Sequence, residues 1–204
     1  MVLKQDSLLL IFVKHPIKGQ VKTRLAKGIG EEKALSVYQA LLAYTAEMVQ
    51  DVQADKVVFY GNQLPERDLW SEAGYARYLQ EGPDLGVRMA QAFQWGFQQG
   101  YTKIQIIGSD NPHLTTHIIE EGYAALDTSA VSLGPAEDGG YYLLGMKTFI
   151  PSLFVQKQWS TETVLEATVN DLVEAQLSYH LLPTLNDVDT PKDLAGTFLV
   201  SLLS

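Results

Sequence analysis

Four aspartates lie in turns where their carboxylates could bind a divalent cation or accept a proton. Asp110 comes shortly after the apolar run at residues 103–107, and Asp187 and Asp189 alternate in one segment. In an extended chain, alternating residues face the same way. Mg²⁺ takes oxygen ligands, usually one or two carboxylates completed by substrate phosphates and water. The pattern predicts a metal site formed by Asp110 and Asp189, with Asp187 open as the alternative second ligand, although each aspartate could instead cap a turn or helix.

The fourth aspartate, Asp138, stands in the sequence Glu137-Asp138-Gly139-Gly140. Glycines without a side chain would let a sugar or another acceptor approach the backbone closely. Asp138 or Glu137 could then accept the proton of an attacking hydroxyl, provided that it lies within about 3 Å of it. A plain acidic turn would contain the same residues.

A basic loop, defined here as residues 14–27, stands out in a chain with a formal charge of −9. It holds five of the fifteen Lys and Arg residues, and no acid occurs between Asp6 and Glu31. Arg as a planar fork and Lys as a point charge both suit phosphate. A solvated loop is the alternative, but the apolar run before the loop and the acidic turns favour phosphate binding. Lys22-Thr23 lacks the glycines of a Walker A loop, so a P-loop kinase is disfavoured.

These groups need a scaffold, and the apolar run at residues 8–13 predicts a strand buried on both faces, as in a parallel sheet. Further strands are predicted at residues 56–60, 75–79, 103–107, 131–133 and 177–181. Apolar periodicity and capping residues predict helices at residues 31–52, 66–72, 115–126 and 161–174, one after Asp84, and a last one that begins with Thr190 as N-cap, Pro191 and Asp193.

Strands that alternate with helices predict an α/β domain with a mainly parallel sheet. Ligands of such sheets bind beyond the carboxyl ends of the strands. The basic loop follows the first predicted strand, and Ser109-Asp110 follows the strand at residues 103–107. We therefore expect both to lie at the same edge of the sheet.

The turn before the Asp84 helix is a further candidate for nucleotide binding. Gly82-Pro83 marks a turn, and Asp84 can cap the helix that follows it. Gly86 in the first turn of that helix would let a flat group, such as a nucleobase, approach the backbone.

The composition limits the class of protein. A chain of 204 residues with 46% hydrophobic residues predicts one globular domain, residues 1–204. A pI near 4.8 argues against general nucleic-acid binding. The absence of cysteine excludes disulfides and thiolate chemistry. No apolar run approaches the roughly 20 residues of a membrane span, and the N-terminus does not resemble a signal peptide. We therefore expect a cytoplasmic protein, with no indication of its oligomeric state.

With these residues in view, the chain resembles the DUF2064 family, also described as radical-SAM/selenodomain-associated transferase 1, of the GT-A-like nucleotide-diphospho-sugar transferase superfamily. The resemblance implies a three-layer α/β/α sandwich, a nucleotide-activated donor and Mg²⁺ or Mn²⁺. The matching segments are residues 12–25, 82–89, 108–112, 134–145, 159–161 and 187–194.

The resemblance also implies roles for individual residues. Asp110 takes the place of the metal-binding aspartate after the central strand, and Asp189 that of the second metal carboxylate. The predicted catalytic residues are Asp138, Lys22 and Arg24, and the predicted nucleotide-binding residues are Lys14, Lys18, Thr23, Asp84, Gly86, Ser109, Gly139 and Gly140.

The expected function is a glycosyltransferase that moves a sugar from a nucleotide-sugar to a small acceptor. Asn111 and Pro112 follow Asp110, so the Asp-x-Asp motif of sugar transferases is missing. This departure favours the alternative, a nucleotidyltransferase that joins a nucleoside triphosphate to a phosphorylated small molecule. The alternative outside the enzymes is a non-catalytic module that binds a nucleotide.

Overall fold

A computed structural model describes residues 5–203. The prediction that the N-terminus is not a signal peptide therefore concerns residues that lie partly outside the described range. Its single sheet has seven strands in the order β3-β2-β1-β4-β6-β5-β7. Strand β6 runs antiparallel to both of its neighbours, and the other six strands share one direction. The strands are β1 (Ser7–Val13), β2 (Asp55–Tyr60), β3 (Ala76–Leu79), β4 (Lys103–Ile107), β5 (Val131–Pro135), β6 (Tyr141–Met146) and β7 (Tyr179–Leu181).

Helices connect most of these strands. The α-helices are α1 (Thr23–Ile29), α2 (Glu31–Met48), α3 (Leu69–Glu72), α4 (Leu85–Gln98), α5 (Thr116–Ala125) and α6 (Val164–Glu174). Short 3-10 helices cover Val49–Asp51, Pro151–Phe154, Pro191–Leu194 and Phe198–Leu203. No helix within residues 5–203 has the length and apolar character that crossing a bilayer requires.

Strand β1 lies inside the sheet, and its side chains alternate between two apolar layers. Leu9 and Ile11 pack in a cluster with residues of α2 and α5. Leu8 and Leu10 pack in a second cluster with residues of α4 and α6. All four side chains are fully buried. Because helices cover both faces of a mainly parallel sheet, the predicted α/β/α sandwich is confirmed.

Capping residues set the starts of two helices as predicted. Asp84 Oδ1 accepts a hydrogen bond of 2.9 Å from the Val87 amide at the start of α4. Thr115 Oγ1 accepts one of 3.4 Å from the Ile118 amide at the start of α5. The capping box of Thr190 and Asp193 is also present, but the predicted last helix is wrong. The chain forms only short 3-10 helices there, because Ala195 is extended and Gly196 has a φ of 78°.

Two elements of the fold are absent from the sequence prediction. Residues 141–146 form β6, which pairs with β4 and β5. The end of the predicted basic loop is helical, because residues 23–29 form α1, whose Leu25 is fully buried in a cluster with Leu41. In both cases long-range contacts outweigh the local signals of glycine and charge.

Candidate active site

A cavity of about 1140 Å³ lies beyond the carboxyl ends of the central strands. Strand β1 is paired with β4 only as far as Ile11, so Phe12 and Val13 line the cavity beyond that point. The other walls come from the basic loop, the start of α4, the turn after β4, the turn between β5 and β6, the segment before α6, and the segment that holds Asp187 and Asp189.

The ammonium of Lys22 lies at the centre of the charged part of this cavity. Its Nζ is 2.7 Å from Asp110 Oδ1 and 3.5 Å from Asp189 Oδ1, and the side chain is only 4% exposed. Burial by itself lowers the pKa of Lys22, but the neighbouring Asp110, Asp189 and Asp187 outweigh it and raise that pKa above its ordinary value. The lysine is therefore held as a cation between carboxylates from distant parts of the chain.

Arg24 joins the same group from the solvent side. One of its guanidinium nitrogens, NH2, lies 3.3 Å from Asp189 Oδ2, and its side chain is 69% exposed. An exposed guanidinium can turn toward an arriving phosphate at little cost. The structure thus brings the basic loop and the acidic turns to one edge of the sheet, as expected from the topology.

The backbone at Lys22 adopts a conformation that is uncommon for a residue with a side chain. Its φ of 47° and ψ of 44° are left-handed, and it occupies the N-cap position of α1. Such a conformation costs roughly 1–2 kcal/mol outside glycine. The ion pairs of the Lys22 side chain help to offset this strain. The left-handed conformation turns the chain at Lys22 into α1, which begins at the next residue.

Asp187 lines the same cavity as Asp110 and is partly buried. Its Oδ1 accepts a hydrogen bond of 2.8 Å from Asn111 Nδ2. Burial and the charge of Asp110 raise the pKa of Asp187 to about 6, against the opposing effects of Asn111 and Lys22. The Val188 amide donates a 3.0 Å hydrogen bond to the carbonyl of Asp110, which joins the two acidic segments.

Sequence reasoning missed Tyr38, which it placed in the apolar stripe of α2. The Tyr38 hydroxyl accepts a 2.8 Å hydrogen bond from the Lys14 amide and lies 3.3 Å from Ser109 Oγ. Burial and the charge of Asp110 raise its pKa, so it remains a neutral phenol. It ties the end of β1 to the end of β4. A hydroxyl at a core position of the stripe was the only signal for this role.

At Gly86 and Gly139, where a close approach by substrate was expected, another part of the chain packs against the glycine. A Cβ at Gly86 would lie 2.1 Å from Trp159 Nε1, so the flat group at this glycine is an indole and not a nucleobase. A Cβ at Gly139, whose φ is 83°, would lie 2.0 Å from the backbone oxygen of Glu162. Neither glycine lines the cavity, so the contact predicted with substrate is replaced by packing against the segment before α6.

The other predicted residues divide between the cavity and the outer surface. Asp138 lines the cavity, and its Oδ1 accepts a 2.9 Å hydrogen bond from the Gly140 amide. Lys18 forms an exposed ion pair with Glu32 outside the cavity. The predicted nucleotide-binding residues that line the cavity are Lys14, Thr23, Asp84, Ser109 and Gly140.

The carboxylates fit a cation that is shared with a substrate. Within residues 5–203, no three His, Cys, Asp or Glu side chains converge closely enough to hold a metal ion unaided. Asp110 and Asp189 nevertheless both reach one small cationic group, the ammonium of Lys22. A hard cation needs only one or two carboxylates when phosphates and water complete its shell. The residues therefore suit a metal ion that arrives with a nucleotide.

Comparison with known proteins gives the family. A family described as uncharacterized protein conserved in bacteria (DUF2064) has a model that matches residues 42–161, more than half of the chain. The chain belongs to the DUF2064 family. No protein of curated function matches this DUF2064 protein by sequence.

A solved structure from Desulfovibrio desulfuricans G20, provisionally assigned as a nucleotide-diphospho-sugar transferase, is 30% identical to this DUF2064 protein. Its TM-score is 0.85, over 97% of this chain and 94% of that chain. The inositol-1-phosphate CTP transferase from T. maritima is 12% identical, with a TM-score of 0.55 over 98% of this chain and 96% of that one.

A third similar structure is glucosyl-3-phosphoglycerate synthase from Mycobacterium tuberculosis in complex with Mg²⁺ and uridine diphosphate. It is 9% identical to this DUF2064 protein, with a TM-score of 0.55 over 97% of this chain and 76% of that one. At this level of identity the last two structures support the fold alone. The predicted family and the predicted GT-A-like fold are both confirmed.

Proposed function

We propose that this protein is a metal-dependent transferase that takes a sugar from a nucleotide-sugar and moves it to a hydroxyl of a small acceptor. The observation that carries the proposal is the convergence of Lys22 and Arg24 with Asp110 and Asp189 beside the carboxyl end of β1. This arrangement has the charges and the position that a nucleoside diphosphate requires. The relative from Desulfovibrio desulfuricans supports the same class.

Each charged group has a defined task in this proposal. A Mg²⁺ or Mn²⁺ ion held by Asp110 and Asp189 would offset the charge of the diphosphate. Lys22, released from part of its carboxylate contacts, and Arg24 stabilise the negative charge that develops on the departing phosphate. Lys14 lines the same part of the cavity and adds to the positive potential.

Asp138 acts on the acceptor. The acceptor oxygen forms a bond to the anomeric carbon, and the bond between that carbon and the β-phosphate oxygen breaks. The nucleoside diphosphate leaves with the bonding electron pair, and the hydroxyl proton passes to Asp138. This carboxylate lies in the turn between β5 and β6 and lines a smaller cavity together with Arg24 of the basic loop. It is free of ion pairs among residues 5–203.

Nucleotidyl transfer is the second candidate, in which an acceptor phosphate attacks the α-phosphorus and pyrophosphate leaves. It is favoured by one observation: Asn111 occupies the position after Asp110 and hydrogen-bonds to Asp187. Asp110 therefore has no neighbouring carboxylate in its own turn.

Thermal-shift screening of UDP, GDP, CDP and ADP, with and without Mn²⁺, tests the nucleotide site. A ligand at a hundred times its Kd adds about 2.7 kcal/mol to the free energy of unfolding. We expect Asp110→Asn to abolish the metal-dependent part of the shift and Lys22→Ala to reduce the part that the nucleotide contributes. Asp51→Asn, at an exposed position outside the cavity, should retain both. Equal nucleotide binding by all variants would refute the proposed function. The remaining candidate would then be a non-catalytic module that binds a nucleotide elsewhere.

Incubation with nucleotide-sugars and nucleoside triphosphates then separates the two reactions. Release of a nucleoside diphosphate together with a glycosylated acceptor supports sugar transfer. Release of pyrophosphate supports nucleotidyl transfer. We expect residues 1–204 to perform the reaction as a single domain.

A further inference from the structure

Asn111 is a buried polar side chain that follows Asp110 in the turn after β4. It is only 5% exposed, and it lines the cavity. A buried amide needs hydrogen-bond partners for its oxygen and for its nitrogen, because an unpaired polar group in the interior is costly. In this protein both ends of the amide have a partner, and one of the partners is a carboxylate of the candidate site.

Two hydrogen bonds fix the orientation of the Asn111 amide. Its Oδ1 accepts a 2.9 Å hydrogen bond from the His113 amide, and its Nδ2 donates a 2.8 Å hydrogen bond to Asp187 Oδ1. A backbone N–H can only donate and an ionised carboxylate can only accept, so the two ends of the amide cannot be exchanged. The turn after β4 therefore presents a fixed N–H donor to Asp187.

Asp187 and Asp189 have different partners, although they alternate in one segment. Asp189 contacts two cations, with Oδ1 3.5 Å from Lys22 Nζ and Oδ2 3.3 Å from Arg24 NH2. Within residues 5–203, Asp187 forms no ion pair. Asp189 is thus the carboxylate of this segment that reaches the position of a cation, whereas Asp187 faces an amide.

A backbone hydrogen bond runs beside the one between the side chains. The Val188 amide donates a 3.0 Å hydrogen bond to the Asp110 carbonyl, and the Val188 side chain is fully buried against residues of α1 and α2. The two acidic segments are therefore joined at adjacent points. Asp110 and Asp189 extend from this joint, and both reach the ammonium of Lys22.

The joint matters most when a nucleotide is bound. In the proposed function Lys22 directs part of its charge to the departing phosphate, so it holds Asp110 and Asp189 together less firmly. Hydrogen bonds within the protein must then keep the two carboxylates in place. Residues that orient metal ligands in this way affect metal affinity without touching the ion.

We propose that Asn111 and Asp187 form a positioning pair, whose hydrogen bond holds Asp110 and Asp189 within reach of one cation, and that Asp187 is not itself a metal ligand. The inference rests on the proposed function, since it names the residues that position the ligands of that same site. A carboxylate in place of Asn111 would face Asp187, and the two like charges would repel each other. The missing Asp-x-Asp motif thus has a physical reason in this chain.

Mn²⁺ affinity in the presence of a nucleotide tests the pair. The protein is saturated with whichever of UDP, GDP, CDP or ADP gives the largest thermal shift, and binding of Mn²⁺ is measured by electron paramagnetic resonance. We expect Asn111→Ala to weaken Mn²⁺ binding by about tenfold to a hundredfold, the usual effect of losing a residue that orients a metal ligand.

Asn62→Ala is the matched control. It removes an amide that also forms two hydrogen bonds, both to the backbone of His15, and neither residue lines the cavity. This variant should leave Mn²⁺ binding unchanged. Unchanged Mn²⁺ affinity in Asn111→Ala, or an equal loss in both variants, would overturn the inference.

Exchanging the two side chains tests the hydrogen bond itself and covers the case in which Asn111→Ala does not fold. Asn111→Asp alone sets two carboxylates against each other and should weaken Mn²⁺ binding. The double variant Asn111→Asp/Asp187→Asn again sets an amide against a carboxylate, so it should recover most of the lost affinity. If the double variant binds Mn²⁺ no better than Asn111→Asp, the inference is wrong.

Single substitutions in the later segment separate positioning from metal binding. Asp187→Asn keeps an oxygen that can accept from Asn111 and should retain most of the Mn²⁺ affinity, whereas Asp189→Asn should abolish it. Equal loss in both variants would make Asp187 a metal ligand and refute the inference while leaving the transferase intact. A parent protein without a Mn²⁺-dependent thermal shift for any of the four nucleotides would instead refute the proposed function, and the inference with it.

Discussion

The ammonium of Lys22 lies 2.7 Å from Oδ1 of Asp110, and its second carboxylate neighbour is Asp189 at 3.5 Å. One lysine from the basic loop therefore holds together two acidic segments that the chain supplies much later. Under the proposed function, this ammonium lies in the region where a metal ion would bind together with a nucleotide.

Lys22→Ala should destabilise the protein and make it respond to metal. Asp110 loses its cation and Asp189 keeps only Arg24. We expect the free energy of unfolding to fall by about 2 kcal/mol, less than the 3–5 kcal/mol of a fully buried pair because Asp110 is 47% exposed. Urea unfolding with and without Mg²⁺ measures this, and millimolar Mg²⁺ should restore more stability to the variant than to the parent protein. Lys18→Ala removes an exposed pair and should change little. Equal Mg²⁺ responses in the parent and Lys22→Ala would contradict the assignment.

Gly86→Ala should clash with the indole of Trp159. The added Cβ would lie 2.1 Å from Nε1, and a crowded contact of this kind costs about 1–3 kcal/mol. Thermal unfolding of Gly86→Ala, Trp159→Leu and the double variant measures the coupling between the two positions. We expect the double variant to be more stable than additivity predicts, by about 0.5–3 kcal/mol. Strict additivity would show that the two residues do not meet.

Tyr38→Phe removes the hydroxyl that joins the ends of β1 and β4. The Lys14 amide then loses its partner, and because this hydrogen bond is only partly buried we expect a cost of about 1 kcal/mol, the lower end of the range for an unsatisfied buried group. Nucleotide affinity should fall as well, because Lys14 and Ser109 both line the cavity. Tyr44→Phe is the matched control, since its hydroxyl bonds to the Leu114 carbonyl away from the site. Loss of stability with unchanged nucleotide affinity would limit Tyr38 to a structural role.

Asp68→Asn should alter the acid sensitivity of the protein. Burial alone would raise the pKa of Asp68, but hydrogen bonds from Tyr60 and the Ser71 amide and the ion pair with Arg77 lower it below the ordinary 3.8. A depressed folded-state pKa contributes stability that is present above the unfolded pKa and is lost as pH falls through the folded one. The stability gap between the parent and Asp68→Asn should therefore be widest near neutral pH and narrow below about pH 4, as measured by urea unfolding. A gap independent of pH would exclude this linkage.

Much of the scaffold could be predicted because buried parallel strands have a local signature. The run at residues 8–13 is wholly apolar, and the helix at Asp84 begins with a capping residue. Strand β6 is also rich in apolar residues, but two glycines precede it and Gly145 interrupts it, so its pairing with β4 and β5 decides its conformation.

Within the site, local patterns indicated which residues carry charge but not which residues they meet. The basic loop and Asp110 could be placed at one edge from topology alone. The partner of Gly86 could not, because Trp159 approaches it from a segment more than seventy residues further along the chain. The role of Tyr38 was hidden for a related reason: its phenol fits the apolar stripe, and only the fold shows where its oxygen points.

The reversed direction of β6 has a consequence for how the site can change over evolution. Because β6 returns directly from β5, the intervening turn carries Asp138 to the same edge as the ends of β1 and β4 without a crossover helix. The exposed side chains of that turn, Glu137 and Asp138, can be exchanged without shifting the strands that lead to Lys22 and Asp110, whereas Gly139 is confined by the backbone of Glu162. Under the proposed function, acceptor choice could therefore diverge among relatives while the part of the cavity around Lys22 and Asp110 stays as it is.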